Sequence, residues 1–404
     1  MELKSCTYAT VTTLGDFGPW ISKVVLDLPC TVRTNDVDAN TFHIYVERHE
    51  RTGEVLMRKE HGTDHAAPSV GYIDVLAAYP CGENGRKLAV GTHVALEVAE
   101  QRLTKKIEGG VMDSRMLDNQ LHITQLVALP GNDGDDPTCG LVFDTCRGDI
   151  CPALKGWSNA VQKTAVDGIA LEYGFFEPSF KAEASACFNP FAPEATVVPQ
   201  KAPLVVYLHG AGEGKGATQG EGAMRAYIGN RVTAISQAQI QRYFGGFAWV
   251  LVPQSPTFWM DNGVEQLGRS NQSIYSPVLK ALIDEFVAER AERIDTDRIV
   301  VAGLSNGGFM TLRLCADYPG FFAAGLPCCA PWYNATDEDV AALAKTPLWF
   351  THSKGDELVS PQQTVLPLTA RLRDAGANVH LTYFSHVEDQ TGRYREADGS
   401  PKKT

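Results

Sequence analysis

The 404-residue sequence contains no apolar run of about 18 residues, which excludes a membrane-spanning helix. Positive charge is scarce: 36 Lys and Arg stand against 48 Asp and Glu, a formal net charge of −12. So acidic a chain is a poor counterion for phosphate backbones, which argues against nucleic acid as the main partner. Cysteine is dilute, ten residues with no paired C-x-x-C spacing, so neither a disulfide scaffold nor a zinc site is expected. The thiols read as mostly free and buried; Cys139, Cys146, Cys151 and Cys187 are the group able to hold a disulfide in an exported protein. The start, Met1-Glu2-Leu3-Lys4-Ser5-Cys6, lacks the charged-then-apolar profile of a secretory signal. It predicts a cytoplasmic protein, or an exported one whose signal has been removed. Composition leaves the oligomeric state open.

What the chain does have is two distinct hydrophobic rhythms. From Thr7 to about Leu129 apolar residues alternate in short runs such as Phe42-His43-Ile44-Tyr45-Val46 and Leu121-His122-Ile123-Thr124-Gln125-Leu126. A period of two punctuated by Gly, Pro, Asn and Asp predicts an all-β sandwich over residues 1–130. The polar stretch Pro130 to Pro137 opens a predicted linker over residues 131–155, and its carboxylate spacing does not fit a calcium-binding EF-hand loop. From residue 156 to 404 continuous apolar strands alternate with helix-length segments: Leu204–Leu208, Ala248–Val252, Arg298–Ala302 and Leu348–Thr351 against helices near Ser276–Arg290, Asn306–Tyr318 and Pro361–Ala375. That alternation predicts an α/β domain with a mostly parallel sheet. An antiparallel hairpin from Gln162 to Pro178, turning at Val166-Asp167-Gly168-Ile169, opens it.

Gly303-Leu304-Ser305-Asn306-Gly307 matches G-x-S-x-G, between a buried strand and a helix whose apolar face includes Phe309, Met310, Leu312 and Leu314. In that strand-turn-helix context the serine is a nucleophile held on a sharp turn above the sheet edge, at the positive end of the helix. A nucleophilic serine needs a base to take its proton and an acid to orient the base. In this arrangement acid and then histidine follow the serine, each at the C-terminal end of a later strand. Asp356, after Leu348–Thr351, and His386, after His380–Phe384, stand in that order, with Glu357 as the substitute acid. Acyl transfer also needs two N–H donors for the developing oxyanion. The amide of Asn306 supplies one, and the small-residue loop His209-Gly210-Ala211-Gly212 the other, from Ala211 with Gly212 as neighbour. His209 reads as a structural residue bracing this loop rather than a base, and stands with Trp259 and Trp332 as a candidate substrate contact. Trp259 and Trp332, beyond strand ends, are placed to contact an acyl or aryl group.

The glycine-rich loop also invites a nucleotide-binding reading, which fails on spacing. Gly210 to Gly214 encloses three residues where a P-loop needs four, and Gly216 follows Lys215 where Ser or Thr is required. Lys215 likewise stands where G-x-G-x-x-G demands its third glycine.

These residues resemble the α/β-hydrolases, and within them bacterial esterases related to polyhydroxybutyrate depolymerases, feruloyl esterases and prolyl-oligopeptidase-type serine peptidases. The resemblance rests on Leu208-His209-Gly210-Ala211-Gly212-Glu213, Gly303-Leu304-Ser305-Asn306-Gly307-Gly308 and His352-Ser353-Lys354-Gly355-Asp356, and covers roughly residues 160–386. Some relatives carry an immunoglobulin-like sandwich in front. It implies a serine carboxylic-ester hydrolase with no metal or organic cofactor, Ser305 the nucleophile, Asp356 the acid, and the Asn306 and Ala211 amides the oxyanion hole. The substrate is a small-molecule or polymer-linked ester. Peptide hydrolysis by the same residues is the alternative, although no gating propeller is present. The chain departs from the family at the histidine, usually found as Gly-His-x-x-Trp before a closing helix. Here it lies in Ser385-His386-Val387-Glu388-Asp389, with 18 residues after it, polar especially from Gln390 to Thr404. If the family's histidine is missing, the protein is instead a catalytically impaired binding protein.

Overall fold

In the computed structural model, residues 3–15, 18–59, 65–106, 114–131, 136–179, 201–214, 222–388, 395–401 and 403 are described. Two compact units divide the chain between Lys155 and Gly156.

Alternation builds the first unit as expected. In the strand Phe42–Glu50, Phe42, Ile44 and Val46 are buried while His43 is exposed, so one face is committed to the core. Eight strands form a continuous path: Val70–Ile73, Phe42–Glu50, Ser114–Gln125, Leu141–Ile150, Lys4–Gly15, Gly18–Arg33, Val90–Arg102 and Val75–Cys81, with Thr104–Lys106 pairing off it onto Ser114–Gln125. Phe42–Glu50, near one edge, also touches Val75–Cys81 at the other, so the sheet curls over a shared core that includes Val24, Leu26, Val94, Leu96, Leu121 and Phe143. The predicted linker is a correction. Leu141–Ile150 is a central strand, antiparallel to Ser114–Gln125 and parallel to Lys4–Gly15. Only Leu141 and Phe143 of it are fully buried. Its polar second half is held by hydrogen bonds instead: Asp149 accepts from Thr10 and Thr12 at 2.5 and 2.8 Å, and Arg147 pairs with Asp27 at 2.9 Å. A strand fixed this way has the composition of a loop. Residues 132–135 of that stretch lie outside the described residues.

The second unit is built on one eight-stranded sheet, numbered here β1 (Trp157–Val161), β2 (Glu172–Phe176), β3 (Ala202–Leu208), β4 (Trp249–Pro253), β5 (Ile294–Leu304), β6 (Ala324–Cys328), β7 (Leu348–Ser353) and β8 (Val379–Phe384). The spatial order is β1-β2-β4-β3-β5-β6-β7-β8. β1, β2 and β4 pair antiparallel, and from β4 onward every pair is parallel. The hairpin bends where expected, with Asp167 and Gly168 both at positive φ, 51° and 79°, the requirement of a tight two-residue hairpin turn. β3 and β4 are almost wholly buried, as strands covered on both faces must be. Helix α1 (Tyr275–Ala288) buries Tyr275, Val278, Leu279, Leu282, Ile283 and Phe286, one stripe at helical spacing. α2 (Asn306–Asp317) is buried along nearly its whole length, and α3 (Val365–Asp374) follows β7. Among the described residues there is no helix after β8, and none long and apolar enough to cross a membrane.

All nine described cysteines are free thiols, of which Cys30, Cys81 and Cys315 are buried; Cys187 lies outside the described residues.

Candidate active site

The turn from β5 into α2 places Ser305 at φ 53°, ψ −113°, left-handed backbone that a residue with a Cβ rarely adopts. Such a position costs on the order of 1–3 kcal/mol and persists only where its surroundings impose it. Here the Ser305 amide donates to the Cys328 carbonyl (2.8 Å) and its carbonyl accepts from Phe309 (2.9 Å), fixing both sides. The two glycines of the motif are required by close approach. A Cβ on Gly307 would lie 1.9 Å from the Leu208 carbonyl oxygen, and one on Gly303 2.3 Å from that of Gly307. The elbow is therefore packed directly on the end of β3.

That end of β3 carries the second half of the site. His209 is buried, its Nδ1 2.7 Å from the Gly210 carbonyl and its Nε2 accepting from the Ser255 amide at 2.9 Å. The Ser255 donor requires an unprotonated Nε2, so the proton sits on Nδ1. Burial pushes the imidazole down to about 4, keeping it neutral. With both nitrogens spent on backbone, His209 has none for substrate: it braces the loop, a correction to its candidacy as a substrate contact. It thereby ties β3 to the loop after β4, where Gln254 donates to the Glu213 carbonyl at 3.1 Å. Arg225, also buried, reaches the Gly212 and Gly214 carbonyls from the other side, a support that sequence spacing gave no sign of. Ala211 opens a short 3₁₀ turn. Among the described residues neither the Ala211 nor the Asn306 amide has a hydrogen-bond acceptor, the condition for an anion-binding pair. The Asn306 side chain is engaged elsewhere: its Oδ1 accepts from the Trp259 amide at 2.6 Å.

Trp259 and Trp332 are a second correction. Both are buried, at 0% and 1% exposure. Trp259 packs between His209 (5.0 Å) and Tyr275 (5.6 Å), and Trp332 on Phe309 (5.6 Å). Neither presents a ring face outward, because the loops that carry them fold back into the core cluster.

Asp356 follows β7, and its Oδ1 accepts from Leu358 and Val359 amides at 3.0 and 2.9 Å. Its Oδ2 lies 3.2 Å from Nε2 of His352, a buried residue of β7 that stands in the sequence as the first residue of the His352-to-Asp356 motif, with no role of its own. His352 Nε2 is also 2.9 Å from the Val359 carbonyl, so residue and turn close on each other. His386 follows β8, the strand beside β7, and the Lys354 amide joins the two loops by donating to the Phe384 carbonyl at 2.9 Å. The imidazole itself is exposed, with Nδ1 3.1 Å from Ser385 Oγ and Nε2 3.2 Å from Glu388 Oε1. Its ring is hydrogen-bonded to neither Asp356 nor Ser305.

Serine after β5, acid after β7 and histidine after β8 thus share the carboxyl edge of one sheet, where ligands of open α/β sheets bind. Comparison with known proteins bears on the two domains. Residues 7–136 match the esterase Ig-like N-terminal domain, and residues 194–391 the phospholipase/carboxylesterase family. The two matches together describe an Ig-like domain followed by an α/β-hydrolase domain of carboxylesterase type. Over 134 residues the chain is 29% identical to NocK of Nocardia uniformis subsp. tsuyamanensis, a protein named as an esterase. That match covers 33% of the chain and spans about a third, 34%, of the relative's length. The crystal structure of a thermostable esterase shares the fold, with a TM-score of 0.71 at 19% identity over 94% of this chain and 90% of the other.

Proposed function

We propose that this chain hydrolyses carboxylic esters through an acyl-enzyme on Ser305. Ser305 Oγ attacks the ester carbonyl as His386 takes its proton, and the oxyanion receives the Asn306 and Ala211 amides. Collapse expels the alcohol, protonated by His386; water, activated by the same imidazole, then releases the acid. Asp356 orients the imidazole, for which His386 must turn from Glu388 toward Oδ2, an oxygen with a lone pair still available beyond His352. The observation that carries this reading is the left-handed backbone of Ser305 on glycines that nothing larger can replace. The match of residues 194–391 to the phospholipase/carboxylesterase family favours esters over the peptide alternative.

The test is hydrolysis of p-nitrophenyl acetate, butyrate, octanoate and laurate, alongside covalent labelling by a fluorophosphonate. Wild-type protein is expected to turn over one of these esters and to carry the label on Ser305, and Ser305→Ala to lose at least about 10³-fold in rate and all of the label. An unlabelled wild-type protein without esterase activity would return the site to a non-catalytic binding role.

A further inference from the structure

The first unit carries a row of side chains that neither its core nor the mechanism uses. Strand alternation turns Ile44, Val46, Leu121, Ile123 and Phe143 into the core and the residues between them outward. On that outward face, Tyr72 of Val70–Ile73 stands opposite Tyr45 of Phe42–Glu50, and Tyr45 opposite His122 of Ser114–Gln125. Asp144 of Leu141–Ile150 ends the row, its Oδ1 3.0 Å from Nδ1 of His122. The rings touch in sequence: Tyr72 lies 5.3 Å from Tyr45 and 5.5 Å from His43, and Tyr45 lies 6.5 Å from His122. At about 4.8 Å between strands the row is about 14 Å long.

A single exposed ring needs no explanation, and cross-strand aromatic pairs stabilise many sheets. Tyr72, however, is 74% exposed on the strand that ends the sheet, so little of its ring serves packing. Among the described residues neither the Tyr45 nor the Tyr72 hydroxyl has a hydrogen-bond partner. The surrounding chemistry narrows the ligand. No outward position within two residues of the row on these strands is lysine or arginine, so the face offers nothing to phosphate, sulfate or carboxylate groups. Val70 is the one large aliphatic side chain exposed in that range, too little for the core of a protein–protein interface. What remains is ring faces beside groups that donate and accept: two phenol hydroxyls, the Gln120 amide and the His122–Asp144 pair. A pyranose matches this combination, with an aliphatic C–H face to lay on a ring and hydroxyls to reach the polar groups.

We propose that the row from Tyr72 to Asp144 is a binding site for a neutral polysaccharide. The site belongs to the first unit alone and does not rest on the esterase reading.

The test runs the full-length protein through native gels cast with arabinoxylan, mixed-linkage β-glucan or galactomannan, beside a gel without polysaccharide. Retardation in at least one of the three is expected, and it should persist in added sodium chloride because no ion pair takes part. Tyr72→Ala and Tyr45→Ala should each weaken binding at least about fivefold, and Tyr72→Phe, which keeps the ring, less than about twofold. Tyr72→Ala removes a side chain lying mostly in water, so its urea unfolding midpoint should match wild type; it decides the matter even where Tyr45→Ala is unstable. No retardation in any of the gels would overturn the proposal, as would binding that Tyr72→Ala leaves unchanged or that salt abolishes. Retention on poly-L-proline, or self-association lost in Tyr72→Ala, with no polysaccharide bound, would assign the row to a peptide or to a second copy of the chain and overturn it equally.

Discussion

Acidification acts on the second unit through His209. Its Nε2 is an acceptor, 2.9 Å from the Ser255 amide, and its ring is buried. Protonation would set N–H against N–H and place a charge where no carboxylate is paired to it. The folded imidazole titrates at about 4, against 6.5 unperturbed. At about 1.4 kcal/mol per unit, that difference corresponds to roughly 3 kcal/mol. The sign follows from proton binding. Below 6.5 the unfolded chain takes up a proton that the fold refuses, so the stability is complete above 6.5, lost as pH falls toward 4 and exhausted below it. The steepest loss, about 1.2 kcal/mol per pH unit, falls near pH 5. Carboxylates contribute their own acid sensitivity, so the measurement is a difference. Urea unfolding of wild type and His209→Gln is followed by tryptophan fluorescence, which reports chiefly on the second unit because only Trp20 of the six tryptophans lies in the first. Glutamine keeps an oxygen for the Ser255 amide and cannot titrate. His209→Gln should be the less stable at pH 7 and lose less than wild type between pH 7 and 4, the gap narrowing by roughly 3 kcal/mol. Parallel pH profiles for the two proteins would refute a buried neutral imidazole at this position.

Two further outcomes follow from the elbow. Ser305→Gly should unfold at higher urea than Ser305→Ala, by about 1 kcal/mol, because glycine relieves the left-handed backbone that alanine retains; both should lack esterase activity, and equal stabilities would mean the turn is unstrained. Gly307→Ala should cost several kcal/mol, since its Cβ has only 1.9 Å to the Leu208 carbonyl. Gly212→Ala, where a Cβ meets nothing within 4 Å, should stay within about 0.5 kcal/mol of wild type by thermal unfolding.

The parts of this fold legible in sequence are those whose burial leaves a periodic trace. α1 was placed to within two residues because its apolar stripe recurs at helical spacing, and β3 and β4 because strands covered on both faces are continuously apolar. Leu141–Ile150 left no such trace, since Asp149 and Arg147 fasten it through Thr10, Thr12 and Asp27 from distant segments. The site divides the same way. Ser305 was legible because its glycines and its strand-helix context are local, whereas Trp259 and Trp332 were misread because position beyond a strand end does not tell which way a loop folds. Arg225 and His352 act on backbone or carboxylate reached only after folding, and no spacing announces them.

The two histidines near Asp356 bring that division to a measurable point. His352 already holds the carboxylate at 3.2 Å but is fully buried, so its loss leaves a cavity and frees the turn at Asp356. His386 is exposed, and its removal disturbs little packing. If His386 is the base, His386→Ala should lose at least about 10³-fold in kcat while its unfolding midpoint stays within about 0.5 kcal/mol of wild type. His352→Ala should instead lose on the order of 2 kcal/mol of stability and a smaller share of rate. Added imidazole separates chemistry from support: a free base can replace a missing proton acceptor at an open position but cannot restore a buried brace. Rescue of His386→Ala by imidazole, and none for His352→Ala, is the expected pattern. The reverse pattern, with His386→Ala fully active, would transfer the base to His352 and require β7 to present that ring toward Ser305.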